Sequence, residues 1–271
     1  MILQNKNAII YGAGGSLGGA VARAFAAAGA KVFLTGHRLD SVRVVADEIV
    51  GLGGKAEVEV VDGYDEAGVT GHLEKVRRAA GKVDISFNAV DIPVIQNKPL
   101  TEISLDEYVR PVTLTMQTRF LTAKAAARVM QQQGSGVILF LTATPAGIGY
   151  PYTGGFSAAC AAVENLSRSL AAEMGIYGVR VVTIRSGGSP DSAVFREAAE
   201  KFPVEMEVNL QSMKEDTMLR KLPPMADIAN AAVFLASEMA ASITGVTVDV
   251  TAGTTAALNY RARKATFGSV R

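Results

Sequence analysis

The sequence predicts an α/β fold: a doubly wound parallel sheet covered by helices on both faces, three layers in all. Short apolar runs alternate with longer helical patterns along the whole chain. A glycine cluster sits between the first apolar run and the first helical pattern, where such folds turn from strand to helix. No internal repeat or low-complexity linker interrupts the alternation, so residues 1–271 are expected to form one domain.

The elements follow in order. Ala8, Ile9, Ile10 and Tyr11 form the first strand, and the Ala-rich stretch 17–28 reads as the first helix. Residues 31–35 read as a strand, 39–52 as a helix, 56–61 as a strand, 67–80 as a helix and 83–87 as a strand. A long helix over 108–132 leads to a strand over 137–142. A second long helix over 155–174 leads to a strand over 179–184. A helix over 226–237 and a strand over 246–250 close the alternation.

Two stretches stand outside it. Residues 187–222 form a long connection, helical in parts, that carries Met206, Met213 and Met218. Such a segment either covers a pocket for an apolar ligand or packs on the core as a helical excursion. Residues 254–271 carry Arg261, Arg263, Lys264 and Arg271 with no acid. They read as a solvated or subunit-wrapping tail.

Composition narrows the function. The chain has 271 residues, 49% of them hydrophobic, and a formal net charge of +1. That balance gives no clustered basic surface for nucleic acid. A single cysteine allows no internal disulfide, which fits a reducing, cytoplasmic setting. The first strand starts too early for a cleavable signal peptide, and no apolar run reaches the roughly 18 residues of a membrane span. His37 and His72 have no metal-ligand companions, so no metal site is expected.

The cluster Gly12-Ala13-Gly14-Gly15-Ser16-Leu17-Gly18 carries the first chemical expectation. Glycines let a backbone turn tightly against a pyrophosphate, and the helix start supplies N–H groups and a positive dipole. The second strand then ends in Thr35-Gly36-His37-Arg38. A site for NAD usually has an acid here for the ribose hydroxyls, whereas an Arg accommodates a 2′-phosphate. NADP(H) is therefore expected over NAD(H). Asp62-Gly63 ends the third strand, where the carboxylate accepts from an adenine amino group or caps the next helix.

In this order the features resemble the short-chain dehydrogenase/reductase family, over nearly the whole chain. The stretch 161–174, AAVENLSRSLAAEM, is similar to the family's long helix beyond its active site. Tyr177-Gly178-Val179-Arg180-Val181-Val182 is similar to its following turn and strand. Asp227-Ile228-Ala229-Asn230, Phe234-Leu235-Ala236-Ser237 and Ile243-Thr244-Gly245 are similar to its C-terminal signature. The resemblance implies a Rossmann-like fold, nicotinamide binding, and homo-dimers or tetramers formed through the helices over 108–132 and 155–174.

The functional motifs depart from the family. Ser16 stands where the glycine motif has Gly, although Gly12, Gly15 and Gly18 keep an equivalent spacing. The Asn-Asn-Ala-Gly motif survives as Phe87-Asn88-Ala89-Val90, and the later Pro-Gly is Ser186-Gly187. The catalytic Asn position falls on Thr115, the Ser position on Ala143 or Thr144, the Tyr position on Phe156 and the Lys position on Cys160. In the family the Tyr hydroxyl protonates the oxygen that gains charge as hydride arrives. The Lys cation lowers that hydroxyl's pKa and holds the nicotinamide ribose. Phe156 has no hydroxyl, and Cys160 is short and uncharged when protonated.

Two hydroxyls lie near enough in sequence to replace the donor. Tyr152 is four residues before Phe156, and enoyl-reductase relatives also displace their Tyr and Lys; it is otherwise a loop aromatic on the pocket rim. Thr144 hydrogen-bonds a substrate oxygen or simply ends its strand. Cys160 reads as a small core filler. Three functions remain open: an NADP(H)-dependent reductase of an activated carbonyl or a conjugated C=C with a rearranged site; a silent member that pairs with an active one or senses NADP(H); and a non-redox enzyme in the same pocket. The third lacks an evident nucleophile or base beyond Tyr152 and Cys160. No motif in 187–222 names the small-molecule substrate.

Overall fold

Seven strands form one sheet in the computed structural model, which describes residues 1–256. The strands are β1 Asn7–Tyr11, β2 Lys31–Gly36, β3 Lys55–Val60, β4 Ile85–Asn88, β5 Gly136–Ala143, β6 Val179–Ser186 and β7 Thr247–Val250. They lie in the order β3-β2-β1-β4-β5-β6-β7, and every neighbouring pair is parallel. The chain thus winds outward from β1 in one direction, returns, and winds outward from β4 in the other. The crevice between β1 and β4, beyond their carboxyl ends, is where such sheets bind ligands.

The helices are α1 Ser16–Ala27, α2 Leu39–Gly51, α3 Glu66–Ala80, α4 Leu105–Gln133, α5 Gly155–Met174, α6 Ala193–Lys201, α7 Pro203–Glu215 and α8 Met225–Ala236. One core packs Val21, Phe25, Val45, Ile49, Ile228 and Leu235 of α1, α2 and α8 under one face. The other packs Val69, Leu73, Ala126, Met130 and Val163 of α3, α4 and α5 under the opposite face. Central strands buried on both sides explain why β1 is buried throughout instead of alternating.

Two boundaries differ from the sequence reading for identifiable reasons. The sequence pattern predicts the fourth strand from residue 83, but it begins at Ile85. The Val83 N–H instead donates to Gln133 Oε1 at 2.9 Å, and the Val83 carbonyl accepts from Gln133 Nε2 at 2.8 Å. A side chain has taken the place of a strand partner. The long helix starts at Leu105, not 108, because Ser104 and Glu107 form a reciprocal capping box. α4 also carries Pro111 within it. Gly155 admits the Tyr108 backbone so closely that no side chain would fit between α4 and α5.

The connection over 187–222 does hold helices, α6 and α7. Phe195 and Met213 lie against Gly188, so both helices pack back on the loop that leaves β6. Of the C-terminal stretch, a 3-10 turn spans Thr254–Ala256, and Arg261, Arg263, Lys264 and Arg271 lie outside the described residues. Among the described residues no helix is long and apolar enough to cross a membrane.

Candidate active site

The glycine cluster makes one wall of a cleft of about 210 Å³ lined by Gly12, Gly14, Gly15, Arg38, Asp62 and Val90, among others. Gly12 has φ +74, and a Cβ there would lie 2.6 Å from the Ala89 carbonyl oxygen. A Cβ on Gly18 would strike the Gly12 carbonyl. These two glycines let the loop after β1, the loop after β4 and the first turn of α1 close on one another. Gly15 is different: it is exposed, and a Cβ on it would meet nothing closer than 3.4 Å. It leaves room on the cleft side.

The start of α1 has no side-chain cap and no acid in its first turn. The leading N–H groups at Ser16, Leu17 and Gly18 therefore begin the helix without a side-chain acceptor. An uncapped helix start beside a glycine wall fits a pyrophosphate by charge and by space. Ser16, one of the departures from the family motif, accepts from the Ala193 N–H at 2.9 Å. Its hydroxyl thereby joins the glycine loop to the first residue of α6.

At the β2 end, His37 and Arg38 are exposed and line the same cleft. Arg38 opens α2 as its N-cap residue without a capping side chain. Asp62 and Gly63 line the cleft from β3. The cap of α3 is not Asp62. Asp65 accepts from the Ala67 and Gly68 N–H groups, while Asp62 accepts from the Tyr64 N–H at 2.9 Å.

The loop Asn88-Ala89-Val90 is held from below. Asn88 Nδ2 donates to Thr122 Oγ1 at 2.8 Å and to the Thr118 carbonyl at 3.2 Å. Its Oδ1 accepts from the Val90 N–H at 2.9 Å and from Arg119 Nη1. Arg119 Nη2 donates to the Val90 carbonyl at 3.0 Å. Sequence reasoning does not single out Arg119, which looks there like any charge on a helix. No signal in the sequence tells its burial apart from the solvated charges of α4.

Beyond this loop in the chain lie the positions that the family resemblance assigns to chemistry. Thr115 is buried on α4. Ala143 ends β5, and Thr144 opens the 3-10 turn Thr144–Ala146, half-buried. Phe156 is half-buried on the first turn of α5. Ser157 Oγ ties that turn to the Pro145 carbonyl at 2.8 Å. Cys160 is buried beside the Ala143 backbone, and burial pushes its thiol up to about 11. It is a neutral thiol at pH 7. Tyr152 sits in the preceding loop at φ 60 and is 54% exposed. Thr144, Phe156 and Cys160 thus gather where β5 gives way to α5, with Tyr152 on a solvent-facing loop nearby in the chain, and none of the four lines the glycine cleft.

Behind Cys160 lies an ion pair that sequence reasoning also misses. Arg185 holds Glu164 through Nη2–Oε2 at 2.6 Å and Nε–Oε1 at 2.9 Å, and reaches Asp249 at 3.1 Å. Thr142 Oγ1 completes the set by donating to Glu164 Oε1 at 3.0 Å. A larger groove of about 770 Å³ is lined by residues of α6 and α7 such as Met206 and Leu210. It shares no lining residue with the glycine cleft, and the chemistry-bearing residues are not in its walls.

A family model described as Enoyl-(Acyl carrier protein) reductase matches residues 12–255. The chain belongs to the short-chain dehydrogenase/reductase family. It is 32% identical over 252 residues to a 3alpha-hydroxysteroid dehydrogenase of Mediterraneibacter gnavus, covering 92% of this chain and 97% of that protein. It is 32% identical over 257 residues to the 7alpha-hydroxysteroid dehydrogenase of Escherichia coli, covering 95% and 97%. Its fold is similar to that of levodione reductase, with a TM-score of 0.87 at 24% identity over 94% of this chain and 99% of that one. It is also similar to NAD+-bound xylitol dehydrogenase, with a TM-score of 0.86 at 23% identity over 93% and 100%. Both of these sequence relatives are named as hydroxysteroid dehydrogenases, and the xylitol dehydrogenase structure holds NAD+.

Proposed function

We propose that the chain binds NADP(H) in the glycine cleft and reduces an apolar substrate with an activated carbonyl or a conjugated C=C, using a rearranged site. One observation carries the reading: the uncapped start of α1, the glycine wall and Arg38 line a single cleft at the switch point of the sheet. Arg38 is the one Arg or Lys among the residues lining it, and no acid stands at the β2 end. A guanidinium there favours a 2′-phosphate over free ribose hydroxyls. When bound, the nicotinamide would supply hydride.

The chain's own residues would bind and orient. Glycines 12, 15 and 18 with the first N–H groups of α1 hold the pyrophosphate. Asp62 faces the adenine side, and Asn88 fixes the loop that borders the second ribose. Thr144 is the half-buried hydroxyl available to a substrate oxygen, and Tyr152 is the nearby phenol. Neither has a Lys beside it in sequence, so a substrate that accepts hydride readily suits the site better than a simple ketone. Phe195 and Met213, packed on the loop after β6, suit an apolar molecule, a class that the hydroxysteroid relatives' names also describe.

A second reading has its own support: with Phe156 and a neutral Cys160 at the family's Tyr and Lys positions, the chain binds NADP(H) without turning it over. It would then sense the cofactor or serve as the silent partner in a hetero-oligomer. In either reading we infer assembly through α4 and α5, as homo-dimer or tetramer, since Tyr108, Val109 and Phe120 expose apolar surface on α4. Calorimetric titration with NADPH and, separately, NADH tests the shared premise. Tight NADPH binding with weak NADH binding is expected, and binding of neither would overturn both readings. Screening enoyl and carbonyl compounds for NADPH oxidation then separates the first from the second.

A further inference from the structure

Two arginines, Arg119 buried on α4 and Arg185 half-buried on β6, are treated differently. Arg185 is met by Glu164 and Asp249. Arg119, 6% exposed on α4, forms no ion pair with a carboxylate among the described residues. Its two Nη groups donate to Asn88 Oδ1 and to the Val90 carbonyl, and its Nε has no acceptor. Removing a cation from water is costly unless an opposite charge and a full set of hydrogen bonds compensate it. Two neutral oxygens do so only in part.

One carboxylate acts on it through space, the exposed Asp91 that also lines the cleft. Cys160 faces the guanidinium as a neutral thiol, Tyr64 is a phenol, and Asp91 is an exposed carboxylate that forms no ion pair with it. Burial pushes the guanidinium down to about 10, which leaves it charged at neutral pH. The loop it holds, with Ala89, Val90 and Asp91, lines the glycine cleft. A buried positive charge without an ion pair among the described residues therefore lies behind the loop that lines the cleft at the end of β4. The sheet order puts the adenosine half of a dinucleotide over β2 and β3 and the other half over β4 and β5.

We propose that Arg119 is the fixed positive charge of the nicotinamide end of the cleft, delivered from α4 instead of α5, and that it makes the cleft hold the reduced cofactor more tightly than the oxidised one. This rests on the NADP(H) reading above. The oxidised nicotinamide ring carries a positive charge and the reduced ring none, while the rest of the molecule is the same. The ratio of the two affinities thus reports the potential at the ring. At separations near one nanometre in partly buried surroundings, one unit charge shifts that ratio by roughly fivefold to thirtyfold. Arg119 also explains why position 160 holds no Lys: a second cation would lie beside the first.

The test compares dissociation constants for NADPH and NADP+ in the parent, Arg119→Met and Arg119→Lys proteins. Adenosine 2′,5′-bisphosphate, which has no nicotinamide, serves as the probe of an intact adenosine half. The parent is expected to favour NADPH by about fivefold or more. Arg119→Met should lose that preference while holding the bisphosphate as before, and Arg119→Lys should retain most of it. An unchanged ratio in a Met variant that still holds the bisphosphate would overturn the proposal. So would a parent that binds both redox forms equally, which needs no variant to fold. A parent that binds neither cofactor nor the bisphosphate would instead overturn the NADP(H) reading itself.

Discussion

The half of the sheet from β1 to β3 and the half from β4 to β6 carry different kinds of candidate site. On the first side, the glycine wall, the uncapped start of α1 and Arg38 at the β2 end share one cleft. On the second side, the positions that the family resemblance assigns to a proton donor and its cation hold Phe156 and the neutral thiol of Cys160. In the proposed reading the first half binds through backbone geometry and the second acts through side chains. Backbone geometry is fixed by packing, such as the contact of Gly18 with the Gly12 carbonyl, and so resists loss. Side-chain chemistry can vanish without disturbing the sheet.

The sharpest way to break this comparison is to rebuild the second half. Phe156→Tyr with Cys160→Lys is expected to raise reduction of generic ketones by about 10²–10⁴ over the parent. A parent already active on those ketones would show that the second half has kept its chemistry by other residues. Arg119 adds a condition. Cys160 is buried next to that guanidinium, so Cys160→Lys alone places two cations together and is expected to cost about 3–5 kcal/mol in denaturant stability. Adding Arg119→Met should recover most of that loss, and the triple variant should be a better ketone reductase than the double one. Equal stability of the parent, Cys160→Lys and Cys160→Lys with Arg119→Met would show that the two side chains do not share a site.

The first half is probed at Arg38. Arg38→Asp should invert the preference between NADPH and NADH, weakening NADPH by about tenfold to a hundredfold, the worth of a charge-assisted hydrogen bond. Titration of both cofactors reads this directly. If NADPH binding is unchanged, the guanidinium is a solvated charge and the first half is less complete than its glycines imply.

The sequence is legible where local pattern determines structure. Ala8 to Tyr11, the glycines after it and the Ala-rich helix predict β1, the loop and α1 within a residue or two. The full parallel sheet follows from the alternation. What escapes are interactions between residues distant in sequence. Gln133 ends the sheet at Val83 from fifty residues away, and Glu164 meets Arg185 across twenty-one. Arg119 is the clearest case, because burial of a helical arginine depends on what the loop after β4 presents to it. Asp65 is a different kind of miss: Asp65-Glu66-Ala67-Gly68 is a local cap signal, masked by the competing functional reading of Asp62 three residues earlier.

The smallest effect tests whether the two halves are coupled at all. Ser16 sits in the first half, at the opening of α1, and its hydroxyl accepts from the Ala193 N–H at the opening of α6 in the second. α6 has no side-chain cap of its own from Ser192, so Ser16 supplies from the start of α1 an acceptor that a local residue usually supplies. Losing a cap costs about 1 kcal/mol, which is roughly a fivefold change in local opening. Ser16→Ala should therefore speed amide exchange across residues 193–201 by about that factor while α8, packed on α1, is unaffected. Exchange that rises in both helices would place the effect in α1 itself. No change in α6 would mean that the segment covering the second half is held by Phe195 and Met213 on Gly188 alone. In the expected case Ser16 has a structural role, because it couples the opening of α1 in the first half to the opening of α6 in the second.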